Sequence, residues 1–415
     1  MRYSVYVGAQ VCGELRSERG RLSFHYAAGD DTPRTARLSV RLPVRAEPYD
    51  DLASNAYFAN LLPEDEHRRL LAATIGISTR SVGPLLGAIG GECAGAVSIW
   101  PEGQGPEAVP RYEDLSEDEV TELLGDRGGD ARRALTREGR LSLPGGMDKI
   151  ALRRTPTGWQ RAHAGAPTTH ILKWAPPDKP DLSLNEHFAV ETLRRAGVSM
   201  VETALIPTTP RVLIIRRFDR VEREGRIRMV HQEDFCQACG VDPALKYQSE
   251  GGPSLSACAK VLREFAAVPA REVARLLDWV VAGYMVGSTD GHAKPLALLH
   301  GPDGVSLSPF FDISSSAVYP RLNKLAMSVG GEYRFAWVQE RHWRQLGDDL
   351  GVRWPAITSR ASDLAERIEA ALLPTRSANA AASGDLELHE KIDATVRRQI
   401  ARFRNAIGPF GGASR

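Results

Sequence analysis

The 415-residue sequence is short of net charge, of cysteine and of long apolar runs. Lysine and arginine number 53 against 52 aspartate and glutamate, a formal balance of +1. So even a balance gives no whole-molecule attraction for nucleic acid and leaves only local patches, which counting does not locate. The cysteines are Cys12, Cys93, Cys236, Cys239 and Cys258, an odd set without the spacing of a disulfide-stapled secreted domain. Cys236-x-x-Cys239 has no second CxxC or histidine pair at metal spacing, so buried structural thiols are expected. No apolar run reaches about 18 residues, and no membrane span is expected. The opening MRYSVYVGAQ lacks the basic stretch followed by an apolar one that marks a secretory leader. A reducing cytoplasm is the expected compartment.

What is present reads as a soluble globular protein, with 42% hydrophobic and 25% charged residues. The length exceeds what one core usually serves, so two or three lobes are expected. There is no internal repeat. Residues 3–7 and 22–26 alternate at period two and predict strands. Residues 55–76 predict a helical stretch with Phe58, Leu61, Leu62, Leu70 and Leu71 as its apolar positions. Residues 82–105 predict Gly-rich turns around a strand at 94–100, and 101–110 a Pro- and Gly-rich linker. Ser116 and Glu119 have capping-box spacing, so a short helix follows. From 140 to 235 strands dominate, including 171–174 and 212–215, with a helix at 184–196 between those two. Beyond 235 the spacing is helical at 255–267, 270–287, 340–350, 358–372 and 386–405, with a flexible connector expected at 374–384. Strands first and helices later predict an α+β arrangement.

Four constellations carry chemistry. Ser142-Leu143-Pro144-Gly145-Gly146-Met147-Asp148-Lys149 places a glycine pair and a lysine before a strand, a pattern that lets backbone N–H groups approach phosphate. The same pattern suits a Pro-Gly hairpin with a surface lysine, and the spacing is not that of a Walker A loop. Lys173 ends an apolar strand and Glu186 lies on the following helix, the pairing that orients a phosphate-binding lysine in protein kinases; a strand-end lysine reaching to solvent is the plainer reading. Asp290-Gly291-His292-Ala293-Lys294 follows an apolar helix, where Asp290 is placed to orient a hydroxyl as general base and His292 and Lys294 to hold structure or phosphate. Asp312 interrupts the apolar run Pro309-Phe310-Phe311-Asp312-Ile313, which is costly unless the carboxylate is paired or on a metal. The two aspartates are 22 residues apart, a separation like that of catalytic-loop and metal-binding aspartates in phosphoryl-transfer enzymes.

In chain order these segments resemble the HipA family of bacterial serine/threonine kinase toxins. The match is collinear over nearly the whole chain. Besides the four constellations it includes Asn60-Leu61-Leu62-Pro63, Gly95-Ala96-Val97, Asn185-Glu186, Arg217-Phe218-Asp219-Arg220, Gln232-Glu233-Asp234, Lys246-Tyr247 and Gly251-Gly252-Pro253. The resemblance implies a two-lobe protein-kinase-like fold: an N-terminal subdomain at 1–105, a β-rich lobe at 106–235 and an all-helical C-terminal lobe at 236–415. It implies ATP and Mg²⁺ as cofactors, Asp290 as the catalytic aspartate and Asp312 as the Mg²⁺ ligand. Lys173 would hold nucleotide phosphates. Pro144, Gly145, Gly146, Met147, Asp148 and Lys149 would form the phosphate-side loop, and Glu233, Asp234 and Phe235 the adenine hinge. His292, Lys294 and Phe311 complete the nucleotide set. Ser142 matches the serine at which members of the family autophosphorylate, which ejects the loop and silences the kinase.

The implied partners are a HipB-like helix-turn-helix antitoxin, operator DNA through that antitoxin, and a host protein substrate such as an aminoacyl-tRNA synthetase. The sequence departs from the family pattern at Pro295, where the family has a metal-binding asparagine, at Met147 for glutamine and at Ile150 for threonine. Proline has no side-chain oxygen, so one metal ligand is missing. That departure motivates a second reading, a degenerate kinase acting as a nucleotide- and antitoxin-binding module. A third reading makes Asp290, His292 and Asp312 a metal hydrolase.

Overall fold

The computed structural model describes residues 1–27, 37–125, 129–145, 147–176, 179, 181–206, 211–319, 322–383 and 385–407. The chain begins β1 (Arg2–Val7), β2 (Gln10–Glu18), β3 (Arg21–Tyr26), α1 (Asp51–Phe58), α2 (Asp65–Thr74), α3 (Val82–Ile89) and β4 (Val97–Pro101). It continues with β5 (Arg111–Leu115), α4 (Glu117–Gly125), α5 (Asp130–Gly139), β6 (Lys149–Thr155), β7 (Gly158–His163), β8 (His170–Trp174) and α6 (Leu182–Arg195). Next come β9 (Thr203–Ile206), β10 (Val212–Arg216), β11 (Arg220–Arg223), β12 (Arg226–Met229), β13 (Gln232–Asp234), α7 (Phe235–Cys239), α8 (Leu255–Phe265) and α9 (Pro269–Val286). The last part is β14 (Ala297–Gly301), β15 (Gly304–Leu307), β16 (Lys324–Val329), β17 (Glu332–Arg334), α10 (Glu340–Leu350), α11 (Trp354–Ser383) and α12 (Leu386–Ile407).

These elements form two compact units. One takes Met1–Pro176, Ile214–Ala244 and Leu298–Gly304; the other takes Pro177–Leu213, Leu245–Ala297 and Val305–Arg415. The first unit joins residues 1–105 to most of the β-rich segment that follows, while the excursion carrying α6 belongs to the second.

In the first unit, β1 to β4 form an antiparallel sheet in the order β3-β2-β1-β4. Alternate side chains of a strand face opposite sides, so Tyr3, Val5 and Val7 enter the core with Leu15, Phe24, Phe58 and Ile99. Each such side chain contributes about 1.5–3 kcal/mol of burial free energy. The carboxylate of Asp50 caps α1 by accepting the N–H of Ala53 at 2.9 Å. The stretch expected as helical at 55–76 divides into α1 and α2. Pro63 forces Leu62 to an extended ψ of 154°, which stops the chain from continuing as a helix. The expected Gly-rich turns at 82–89 are instead α3, whose Pro84 sits in the first turn where it loses no hydrogen bond. A second set of antiparallel strands has β7 between β5 and β6, and β6 between β7 and β8. Residues 102–110 form neither helix nor strand, as a linker should.

The second unit is predominantly helical, as expected, and also carries the strand pair β16–β17. Its centre is α9, whose Leu276, Leu277, Val280, Val281, Tyr284 and Met285 are buried. Tyr284 stacks on Phe335 at 4.6 Å and meets Trp343 edge-on at 5.2 Å, and Trp343 meets Phe403 at 4.9 Å. The flexible connector expected at 374–384 is a correction: α11 runs on through Pro374 to Ser383. An interior proline costs about 3 kcal/mol. The helix survives because its face is anchored before and after that point, by buried Ile368 and Leu372 and then by Thr375 and Asn379. The Thr375 hydroxyl donates to the Ala371 carbonyl at 2.8 Å.

Candidate active site

In the second unit the carboxylates of interest hang on two pinned loops. Gly287 ends α9 in the left-handed conformation, φ 77°, which a side chain would resist. The chain then turns into Thr289, whose N–H and hydroxyl both donate to the Ser316 hydroxyl at 2.8 and 3.0 Å. The Thr289 carbonyl accepts the N–H of Ala326 at 2.9 Å. Asp290 therefore stands on a backbone held from two directions. Its side chain is open to solvent, yet protein crowds its flanks. That desolvation raises its pKa above the ordinary carboxylate value; His292 opposes the rise, the charge of Asp312 adds to it, and the Tyr247 hydrogen bond and Lys246 oppose it. Tyr247 donates its hydroxyl to Asp290 Oδ1 at 3.2 Å and meets His292 edge-on at 5.4 Å.

Asp312 is exposed and adopts φ 57°, the left-handed region, at a cost of order 1–3 kcal/mol for a non-glycine residue. Such strain persists only where the surroundings fix it. Here Phe310 is tied on both sides, its N–H donating to the Ser199 carbonyl at 2.7 Å and its carbonyl accepting the N–H of Val201 at 3.0 Å. Beyond Asp312, Asn185 of α6 clasps Ser315, accepting its N–H at 2.7 Å and donating to its carbonyl at 3.1 Å. The charge of Asp312 reaches Asp290, so the two carboxylates lie near each other in the second unit. His292 and Lys294 are buried beside them in the loop, and the Lys294 N–H donates to His292 Nδ1 at 3.3 Å. Phe311 is half-buried, Pro295 is buried, and Glu186 is buried within α6. Removing the Tyr247 hydroxyl takes away one group that favours the ionised form of Asp290. In Tyr247→Phe the acid limb of any Asp290-dependent rate is expected to move to higher pH, and a pH–rate profile reads this directly.

The first unit holds the other expected positions. Lys149 of β6 and Lys173 of β8 are directly opposed in the antiparallel register, so they project from the same face. Like charges opposed in this way disfavour the sheet taken by themselves. Lys173 is buried and Lys149 half-buried. Lys149 Nζ donates to the Pro144 carbonyl and closes the loop on itself. Gly145 has φ 107°, and a Cβ there would come within 2.5 Å of Lys149 Nζ, so the position requires glycine. Asp148 pairs with His67 at 2.9 Å. Met147 is half-buried, and Gly146 lies outside the described residues.

Ser142 is fully buried, with its hydroxyl donating to the Leu61 carbonyl at 2.7 Å and its N–H to the Glu92 carbonyl at 2.8 Å. At the expected hinge, the Glu233 carboxylate is occupied by Ser39, by the N–H of Val40 at 2.9 Å and by His300 at 2.9 Å. Asp234 forms a capping box with Gln237 at the start of α7, and Phe235 is buried. None of the five cysteines is in a disulfide, and burial pushes the Cys239 thiol up to about 12, which keeps it unreactive.

The first unit also holds a buried ionic cluster, of which the motifs mark only Arg217, Asp219 and Arg220. Arg217 and Arg220 each pair with both Glu92 and Asp219, at 3.0–3.1 Å, with all four side chains almost wholly buried. Thr168 donates to Glu92, and the Gly95 N–H donates to Asp219 at 2.8 Å. Burial alone would raise the Asp219 pKa, but Arg217 and Arg220 outweigh it and hold the carboxyl well below its usual range. Glu92 is a residue the sequence reading missed; no motif spacing marks it. Tyr247 carries no motif role of its own in the sequence, and an aromatic hydroxyl ahead of the helical region is the available signal.

Among the described residues no group of three or more His, Cys, Asp or Glu could hold a metal by itself, so the metal-hydrolase reading finds no ligand set there. Two carboxylates instead suit Mg²⁺, which takes one or two protein oxygens and fills its remaining positions with phosphate and water. Among those residues no helix is long and apolar enough to cross a membrane.

Comparison with known proteins gives the class. Residues 3–100 match the HipA N-terminal domain and residues 141–372 the HipA-like C-terminal domain. The chain belongs to the HipA family. Y4mE of Sinorhizobium fredii is 34% identical over 384 residues, covering 88% of this chain and 89% of that protein. The serine/threonine-protein kinase toxin HipA of Shewanella oneidensis is 26% identical over 333 residues, covering 76% of each chain. The solved Shewanella oneidensis complex of HipA, HipB and operator DNA contains a chain that superposes with TM-score 0.83 at 22% identity, over 98% of this chain and 97% of that one. The fold is thus the α+β, protein-kinase-like fold of HipA.

Proposed function

We propose that this protein is an ATP-dependent serine/threonine-protein kinase toxin, transferring the γ-phosphoryl group to a serine of a translation-related host protein such as an aminoacyl-tRNA synthetase. The observation that carries the reading is the strained, exposed Asp312 sharing a site with Asp290, whose pKa is raised, on loops locked by Ser316 and Asn185. Asp290 orients the acceptor hydroxyl and takes its proton as transfer proceeds. Asp312 would hold the Mg²⁺ of the nucleotide, which when bound would neutralise phosphate charge. Lys149 and Lys173 receive phosphate oxygens on their shared sheet face. Pro144 to Lys149 form the phosphate-side loop; His292, Lys294 and Phe311 complete the nucleotide set. With the Glu233 carboxylate occupied and Phe235 buried, the hinge role of Glu233, Asp234 and Phe235 falls to their backbone groups.

Ser142 is the proposed autophosphorylation site. Its complete burial means the segment must first leave its bed, and a phosphoserine dianion has no room to return. This is a physical basis for one-way silencing. The partner of the Shewanella relative supports a HipB-like helix-turn-helix antitoxin for this chain, with operator DNA reached through it. The three-part division 1–105, 106–235 and 236–415 is proposed as functional: an N-terminal subdomain, a nucleotide lobe and a catalytic lobe.

Pro295 favours the second reading, a nucleotide- and antitoxin-binding module with little turnover. Incubation with γ-labelled ATP and Mg²⁺ separates the two: label on Ser142 or on a translation protein, lost in Asp290→Ala, supports the kinase, and nucleotide binding without transfer supports the module. If the missing ligand limits the rate, Pro295→Asn is expected to raise labelling about tenfold or more, equivalent to roughly 1.4 kcal/mol of barrier.

A further inference from the structure

The motif Asn60-Leu61-Leu62-Pro63 has no part in the mechanism proposed above, yet it forms the turn between α1 and α2, and the segment Ser142 to Lys149 is tied to that turn near both of its ends. At one end the Ser142 hydroxyl donates to the Leu61 carbonyl at 2.7 Å. At the other, His67 Nε2 meets Asp148 Oδ1 at 2.9 Å. Both contacts span 81 residues of chain, so 61–67 and 142–148 lie side by side and run in the same direction.

The turn is itself held in place. Asn60 is buried, and its amide donates to the Ala56 carbonyl at 2.8 Å and to the Val241 carbonyl at 2.9 Å, which joins the turn to the chain after α7. Asp65 takes φ 47°, a strained value for a non-glycine residue that persists only where the surroundings fix it. The His67 ring is oriented as well. Its Nδ1 is sheltered and has no hydrogen-bond partner among the described residues, so the ring proton belongs on Nε2, facing the carboxylate. Asp148 directly precedes Lys149, the lysine that shares a sheet face with Lys173. A carboxylate at that place would repel an incoming phosphate unless it were turned aside, and His67 takes it up.

We propose that the turn at 60–67 is the seat of the phosphate-side loop and that His67 is its positioning residue, acting through Asp148 to set Lys149 for phosphate. The inference rests on the kinase reading for its ligand, a nucleoside triphosphate. The side chains of His67 and Asp148 are 31% and 32% exposed, so the contact is a modest one that opens without unfolding the unit.

The experiment compares the full chain as wild type, His67→Ala and His67→Gln by hydrogen exchange read in a mass spectrometer, with calorimetric titration of ATP and Mg²⁺ on the same samples and melting temperatures as a check of fold. His67→Ala is expected to speed amide exchange across 142–149 by about threefold or more, while β1 to β4 and α12 keep their rates, and to weaken ATP binding by a similar factor. His67→Gln, whose amide reaches as far as Nε2 and still donates, is expected to restore both to within about twofold of wild type. Exchange across 142–149 that stays at the wild-type rate, exchange that rises equally in β1 to β4, no restoration by glutamine, or an ATP affinity that ignores His67→Ala each overturn the assignment. A wild-type chain that binds no ATP sinks the kinase reading instead and leaves the exchange comparison to decide the seat. Turnover is judged separately, by label from γ-labelled ATP and its loss in Asp290→Asn.

Discussion

Replacing Asp290 with asparagine is expected to lower phosphoryl transfer by about 10²–10⁴-fold, the usual contribution of a positioned general base. Nucleotide affinity is expected to stay within about threefold, because asparagine keeps the shape of the side chain and the proposed metal contact is on Asp312. The pKa direction makes the variant a clean test. A carboxyl whose folded pKa lies above its unfolded value binds its proton more tightly in the folded state. Its ionisation therefore costs stability as pH rises from about 3.9 through the folded value, and the full cost is present at neutral pH. Asp290→Asn removes that cost, so its thermal midpoint at pH 7 should be no lower than that of the wild type. Loss of transfer with an unchanged or higher midpoint is loss of chemistry, not of fold. Transfer rates come from label incorporation, and stability from calorimetry on the same samples.

The largest effect on stability is expected at Glu92→Ala. The substitution leaves Arg217 and Arg220 buried with Asp219 as their remaining carboxylate. Removing one partner from a buried ion pair typically costs about 3–5 kcal/mol, a large share of a domain's stability. Urea unfolding should show that loss, or the variant should fail to accumulate as folded protein. Replacing the cluster with apolar residues of similar volume should cost much less, because no charge is then stranded. The same cluster gives a pH signature through Asp219. Its folded pKa is depressed, so its contribution is fully present above the unfolded value near 3.9 and is lost as pH falls from there. The contribution of Asp219 to stability is therefore flat across neutral pH and is lost only in acid.

Much of the architecture can be read from residue order. The period-two pattern marks β1 and β3, three-to-four spacing marks α6, α8, α9 and α12, and the apolar run ahead of Asp290 marks the helix that carries it. Other parts could not be read, for identifiable reasons. α3 is rich in glycine and carries a proline in its first turn, so local propensity argued for turns, while burial among Leu85, Leu86 and Ile89 decided for a helix. At Pro374 a local rule gave way to packing on both flanking turns. The strand pair β16–β17 is short and lies within helical sequence, where its pattern competes with strong helical spacing.

At the site the aspartates were legible because a charged residue within an apolar run demands a reason. Their support was not. Asn185, Ser316 and Tyr247 act through contacts that span 27 to 130 residues of chain, and no local pattern encodes such a meeting. Burial of Ser142 under Leu61 is equally non-local, 81 residues apart, and it changes what phosphorylation there would require.

The central claim is that Asp312 presents a hard cation bearing a nucleotide to Asp290. The most direct test is calorimetric titration of ATP into the wild-type chain and into Asp312→Asn, each with and without Mg²⁺. The account predicts that Mg²⁺ tightens nucleotide binding at least tenfold in the wild type and that this enhancement disappears in Asp312→Asn. ATP binding that ignores Mg²⁺, or an enhancement that survives loss of the Asp312 carboxylate, would contradict it.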